Sequence, residues 1–291
     1  MPDGFVHPEY LAETDWLAGH LDDPDVLVFD CTTHLIPDPK STYQVVPGRA
    51  DFETAHIPGA QFIDVQGDVS DPSQRLRFMA PGADAFAAAM RRFGVNANSR
   101  VVLYSTANVW WATRVWWLLR MFGFDNAAVL NGGLQKWRAE NRAVETGPAR
   151  PHKPGNFTAR GVRPLMVGRE VVLAAVGDGA TCTINALSPA QHAGTGGNVY
   201  GRPGHIAGSV NLPAAHLIDP VDNTFFPAEA LRARFADVGA LDKRVITYCG
   251  GGIAASADAL VLTMMGHENV VVYDASLSEW APDSALPMQT G

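Results

Sequence analysis

Two tandem α/β domains, each a small, mainly parallel sheet with helices on both faces, are the architecture this sequence predicts. Three observations carry that expectation. A set of motifs occurs twice in the same order, short apolar runs alternate with helical periodicity in each copy, and a stretch of linker composition separates the copies.

The duplication comes first. His56-Ile57-Pro58-Gly59-Ala60 precedes Phe62-Ile63-Asp64, and His205-Ile206-Ala207-Gly208-Ser209 precedes Val210-Asn211-Leu212-Pro213. Further along, Arg100-Val101-Val102-Leu103-Tyr104-Ser105 is echoed by Arg244-Val245-Ile246-Thr247-Tyr248-Cys249. Each copy continues with a helical stretch, a short apolar run (Ala127 to Leu130; Val270 to Tyr273) and a tryptophan (Trp137; Trp280). The offsets of 149, 144 and 143 residues drift only as loop insertions allow. One such match is coincidence; three in one order mark a duplicated domain.

The alternation of elements comes second. Val245 to Tyr248 is a buried-strand run, and Ala257, Leu260, Val261 and Met264 then follow at i, i+3, i+4, i+7, one apolar helix face. The most apolar long segment, Trp110 to Phe124, is broken by Arg114 and Arg120, so it predicts a buried helix and not a membrane span. Its tryptophans, Trp110, Trp111, Trp116 and Trp117, are expected in core or interface packing. Third, Thr146 to Pro164 holds three prolines before Pro164, with glycines and basic residues among them. The expected division is therefore a first domain over 1–145, a linker over 146–164 and a second domain over 165–291.

Composition narrows the function classes. The chain has 291 residues, 47% hydrophobic and 18% charged, enough for a core in each half. Twenty-two basic against 30 acidic residues give a net charge of −8, which argues against nucleic acid or an anionic membrane as partner. Met1 to Glu13 shows no secretory-type apolar stretch. Cys31, Cys182 and Cys249 are widely spaced and odd in number, so neither a disulfide framework nor a CxxC pair is expected, and a reducing cytoplasm suits them. The nine histidines show no HxxxH or HExxH spacing, so no metal is expected. Without GxGxxG or a P-loop, no cofactor is expected either.

The chemistry concentrates in one loop. Cys249-Gly250-Gly251-Gly252-Ile253-Ala254-Ala255 sits between the predicted strand and the predicted helix, where parallel α/β proteins place ligands. Consecutive glycines let successive N–H groups turn toward one spot, and the helix adds its positive N-terminal end. Such a cradle stabilises a thiolate and would hold an anionic sulfur attached to it, as a persulfide carrier requires. The competing reading is a buried structural cysteine followed by a tight turn.

These motifs together resemble the tandem-domain rhodanese family, the thiosulfate and 3-mercaptopyruvate sulfurtransferases, over nearly the whole chain. The likeness is carried by Asp30 to Leu35, Phe52 to Asp64, Pro81-Gly82 before Phe86, the cysteine loop, and Tyr273-Asp274-Ala275-Ser276-Leu277-Ser278-Glu279-Trp280. It implies that only the C-terminal copy is catalytic, since Ser105 occupies the position of Cys249 in the first copy. It also implies that His56 faces the domain interface within reach of the loop, as a proton shuttle, unless His56 and His205 merely pin turns. The uncharged loop resembles the mercaptopyruvate branch. That branch places carboxylate-binding arginines where this chain has Gln191 and the stretch Asn198 to Tyr200, with Arg202 the nearest cation.

The resemblance thus implies a small anionic sulfur donor, a persulfide on Cys249, and a thiol, cyanide or protein thiol as acceptor, in a ping-pong cycle. The expected substrate-binding set is Gly250, Gly251, Gly252, Ile253, Ala254, Ala255, Gln191, Tyr200 and Arg202. A non-catalytic persulfide-binding module is the alternative. A cysteine-loop phosphatase or arsenate reductase would need an arginine closing the loop, where Ala255 and Ser256 stand.

Overall fold

The structure, a computed structural model, describes residues 4–38, 41–197 and 199–291. Its framework is two five-stranded parallel sheets. The first sets Leu11–Ala12, Ala127–Leu130, Arg100–Tyr104, Val26–Asp30 and Gln61–Phe62 side by side. The second sets Met166–Val167, Val270–Tyr273, Arg244–Tyr248, Thr181–Asn185 and Val210–Asn211 side by side. In chain order both run first, fifth, fourth, second, third, so the repeat seen in the sequence is a repeat of topology.

The central strands are apolar because a parallel sheet is covered on both faces. Val101 to Tyr104 and Val245 to Tyr248 are fully buried. The two repeated motifs are held by the same device. The Tyr104 hydroxyl accepts the Ile57 N–H at 3.3 Å, and the Tyr248 hydroxyl accepts the Ile206 N–H at 3.0 Å. Each strand tyrosine thereby ties the preceding His-Ile motif of its own copy to its sheet.

The two copies meet through equivalent helices. Trp110–Met121 of the first packs on Ala255–Met264 of the second, and the Thr113 and Ser256 hydroxyls lie 2.6 Å apart. Sequence periodicity gave the second helix one apolar face, but every one of its residues is buried. It is covered by its own sheet on one side and by the first domain on the other, so its small residues serve close packing. Asp258 is caught in this packing without a hydrogen-bond partner, and burial pushes its carboxyl well above the usual range. Trp116 and Trp117 are core residues as expected.

Residues 146–163 contain no helix or strand and lie along the first domain. The N–H groups of Gly155, Phe157, Arg160 and Arg163 donate to carbonyls of Arg91, Val95, Phe122 and Met121. Phe157 is buried among them. One element has no counterpart in the sequence reading: an antiparallel hairpin, Thr33–Asp38 with Ser41–Pro47, that leaves the first sheet and reaches toward the second copy. Among the described residues no helix is long and apolar enough to cross a membrane.

Candidate active site

Cys249 follows the last residue of the central strand Arg244–Tyr248 and is 2% exposed. It lies in the wall of a cleft of about 340 Å3 between the two domains. The second domain lines it with Leu187, Gln191, Tyr200, Cys249, Gly250, Gly251, Ile253 and Ala254, among others. The first domain contributes Leu35 and Tyr43 from the hairpin, then Phe78, Trp110 and Trp111. Trp110 and Trp111 are thus walls of a site as well as packing residues. The sequence reading missed this contribution because the hairpin and the segment around Phe78 reach the cysteine only through the docking of the copies.

The loop is shaped by Ser276. Its hydroxyl oxygen accepts the N–H groups of Cys249 and Gly252, both at 3.1 Å, and donates to the Tyr273 carbonyl at 2.7 Å. Ser276 pays for this post with a left-handed backbone, φ 51°. Leu277 and Ser278 N–H groups then bind the Cys249 and Gly250 carbonyls. With the outer amides occupied, those of Gly250, Gly251, Ile253 and Ala254 meet no acceptor among the described residues. These four residues all line the cleft beside Cys249. Gly252 and Ala255 do not, which corrects the expectation that they bind substrate. Gly252 is spent on Ser276, and Ala255 is fully buried at the helix start, its carbonyl taking the Thr247 hydroxyl.

The three glycines are not equivalent. A Cβ on Gly250 would stand 2.0 Å from the Tyr200 hydroxyl oxygen, so the phenol lies directly on this backbone. Gly252 has φ +72°, and a Cβ there would meet the Asp274 carbonyl at 2.6 Å. Gly251 needs neither freedom; nothing lies within 3.9 Å of its Cβ position. Gly250→Ala should therefore displace Tyr200 and cost about 1–3 kcal/mol with loss of transfer, whereas Gly251→Ala should leave the melting temperature unchanged. Thermal unfolding of both variants, run in parallel, checks this; equal melting temperatures would mean that Tyr200 does not rest on Gly250.

Tyr200 makes no hydrogen bond through its hydroxyl among the described residues. Burial, and then the charge of Cys249 beside it, push this phenol up, so it remains a proton donor at neutral pH. Gln191 reaches the cleft too, although its side-chain oxygen also closes a capping box with Ser188 on the helix Pro189–Ala193. Asn198 lies outside the described residues.

Two expectations fail. His56 is buried in the first domain, its ring stacked on Phe52 at 3.9 Å, its Nδ1 2.7 Å from the Phe52 carbonyl, and its Nε2 3.8 Å from Glu145. Both ring nitrogens face first-domain groups and His56 is absent from the cleft, so the structure places it as a pin of its own turn and away from Cys249. His205 repeats the arrangement on His192, with Nδ1 2.8 Å from the His192 carbonyl and the rings stacked at 3.7 Å. Burial, and then the facing His205 ring, hold the His192 imidazole down to about 4. Arg202 fails for a different reason. Its Nε and one terminal nitrogen donate to the carbonyls of Trp280, Ala281, Asp283 and Leu286, and it does not line the cleft.

A cation that the sequence reading treated only as a helix interruption is built into the site from the first domain. Arg114 is fully buried, 2.7 Å from the Asp274 carboxylate, and donates to the carbonyls of Phe78 and of Gly252, the latter at 3.4 Å. Asp274 in turn accepts the Ala80 N–H at 2.8 Å. One ion pair therefore clamps a cleft wall to the cysteine loop. The guanidinium faces carbonyls and does not line the cleft, so it cannot serve as the oxyanion clamp of a phosphatase. Ser256, where such an enzyme needs arginine, is buried and bonded to the Ile253 carbonyl.

A duplicated parallel fold with one cysteine at a strand-to-helix turn, set among amides that meet no acceptor among the described residues, defines a two-domain α/β protein with a candidate thiol site. Comparison with known proteins is specific. The model of the rhodanese-like domain matches residues 13–140 and 188–283. The chain is 32% identical to thiosulfate/3-mercaptopyruvate sulfurtransferase 2 of Arabidopsis thaliana, covering 96% of this chain and 86% of that protein. It is also 32% identical to the sulfur carrier protein TtuD of Thermus thermophilus, covering 99% of both. The crystal structure of the 3-mercaptopyruvate sulfotransferase SseA from Escherichia coli superposes with a TM-score of 0.80 at 31% identity, covering 92% of this chain and 98% of that one. The chain belongs to the rhodanese family and is a sulfurtransferase.

Proposed function

We propose that this sulfurtransferase carries sulfane sulfur as a persulfide on Cys249, taking it from a small anionic donor and passing it to a thiol or to cyanide. The observation that carries this reading is the pairing of Cys249 with the amides of four residues lining the cleft, Gly250, Gly251, Ile253 and Ala254, that have no acceptor among the described residues. Unpaired amides around a nucleophile suit a site that receives negative charge. The thiolate attacks the outer sulfur of the donor, the donor's bond to that sulfur breaks with the electron pair leaving on the donor, and the amides hold the resulting persulfide. The same reading keeps 1–145 as the non-catalytic copy, 146–164 as the linker and 165–291 as the catalytic copy. Three free cysteines accord with the cytoplasm.

Thiosulfate and 3-mercaptopyruvate are the donors named for the relatives, and the cleft bears on the choice. Among its described lining residues there is no lysine or arginine. A keto-carboxylate held by the polar side chains that line the cleft, Tyr43, Ser188, Gln191, Tyr200 and His216, without a guanidinium, lacks a charge-assisted bidentate contact worth about 1.5–3 kcal/mol. Gln191→Arg should lower the KM for 3-mercaptopyruvate by about tenfold, while Arg202→Ala should lower the melting temperature and leave that KM unchanged. Steady-state kinetics with both variants decide it; an Arg202→Ala effect on KM would return that residue to the substrate.

The reading itself is tested by mass spectrometry after incubation with each donor. A gain of about 32 Da on Cys249, one sulfur atom, supports persulfide carriage. No gain with any donor defeats it. The Thermus relative favours a second reading, a carrier that loads sulfur and hands it only to another protein. Loading without turnover of cyanide or small thiols would decide for the carrier.

A further inference from the structure

Beside the cysteine cleft runs a second groove of about 580 Å3, within the range that takes a drug-sized molecule. The two share Tyr43 and Tyr200 as a common wall. The floor is shared as well. Ser278, which lines the groove, donates its hydroxyl to the Gly250 carbonyl at 2.6 Å, and the Arg77 carbonyl lies 4.0 Å from the Cβ position of Gly251.

The charge of this groove runs against that of the molecule. The protein carries a net charge of −8, yet the groove is lined by Arg75 and Arg77 and by no carboxylate among the described residues. Arg77 rests over the Tyr43 ring at 5.2 Å and donates one N–H to the Tyr43 carbonyl, which holds its guanidinium in place. Among the described residues it has no acidic partner, and Arg75 has neither an acidic partner nor a hydrogen bond. Two exposed guanidinium groups without carboxylates, next to a cysteine cleft with no lysine or arginine among its described lining residues, make this groove the place where cationic side chains can meet a carboxylate.

We propose that Arg75 and Arg77 seat the carboxylates of the sulfur acceptor, and that this acceptor is a peptide-sized thiol bearing carboxylate groups several bonds from its sulfur. The inference rests on the persulfide reading of Cys249. The thiol enters the apolar cleft past Tyr43 and Tyr200 while its carboxylate end stays in the groove on planar, bidentate donors. After losing its proton to solvent, the acceptor thiolate attacks the outer sulfur on Cys249. The S–S bond to Cys249 breaks, its electron pair returns to Cys249 as thiolate, and the acceptor departs as a persulfide. One S–S bond is exchanged for another, so no external oxidant or reductant enters. The local positive field also draws an anionic thiol to a protein that otherwise repels it.

The test uses the full-length protein and follows the two half-reactions separately. Persulfide loading is read as the mass gain on Cys249. Discharge is then measured with glutathione and with its uncharged-carboxyl analogue, glutathione diethyl ester, and expressed as the ratio of kcat/KM for the two. Arg75→Ala/Arg77→Ala should reduce that ratio by about tenfold or more. Arg75→Ala alone, which removes no hydrogen bond among the described residues, should reduce it in the same direction. Intact loading with an unchanged ratio in both variants, or a wild type that does not distinguish acid from ester, overturns the acceptor site. Absence of loading in the wild type overturns the persulfide reading and the acceptor site with it, and the mass measurement tells these failures apart.

Discussion

Cys249→Ser should abolish sulfur transfer while the protein keeps its fold. A hydroxyl cannot form a persulfide, and it occupies nearly the space of the thiol it replaces. The first copy already shows that serine fits this turn. Ser105 stands at the same place after its own central strand, 2% exposed, its hydroxyl accepting the Ala107 N–H at 3.3 Å. The other two thiols should be dispensable. Burial, and then the neighbouring Asp30, push Cys31 well above the usual thiol range, and burial also raises Cys182, whose sulfur faces the Val238 carbonyl at 3.5 Å. Both stay protonated and unreactive at neutral pH. Circular dichroism and donor–acceptor turnover on the three serine variants check this directly. Turnover above trace in Cys249→Ser would remove the proposed nucleophile.

Arg114→Met should be the most damaging substitution outside the cysteine loop. It leaves the Asp274 carboxylate, 7% exposed as a residue, without its cation. Breaking a buried ion pair from one side typically costs about 3–5 kcal/mol, chiefly because the remaining charge stays desolvated. The Phe78 and Gly252 carbonyls lose their donor in the same step. Because these groups belong to different domains, the loss should loosen the cleft as well as the core, and activity should fall in protein that is still folded. Arg114→Met combined with Asp274→Leu should recover much of the stability, since an apolar pair avoids the uncompensated charge. Chemical denaturation of the two single variants and the double variant gives the coupling energy. Additive single effects would show that the pair does not act as a unit.

The contrast between these two residues shows how far the sequence reaches. Cys249 was legible because local patterning names it: a strand run, a glycine loop and a helix face occur in direct succession. The same local logic exposed the duplication, down to Ser105 at the position of Cys249, and the paired sheets follow from it. Arg114 appeared in the sequence only as an interruption of an apolar helix. Its role depends on where that helix docks, and docking is set by the packing of small buried residues on Ala255–Met264, which periodicity described as a one-sided surface. His56 and Arg202 were misplaced for a related reason. A histidine or arginine near a motif is equally able to bind a ligand or to satisfy backbone carbonyls, and only three-dimensional neighbours choose between them. Phe52 and Glu145 claim His56, and four carbonyls of the C-terminal loop claim Arg202. The sequence by itself determined the fold class, the repeat and the candidate nucleophile, because each is written in local motifs. The walls of the cleft, the amides that meet no acceptor among the described residues, the interdomain ion pair and the arginine groove were decided by tertiary structure alone, since each joins residues from both copies or selects among hydrogen-bond partners distant in the chain.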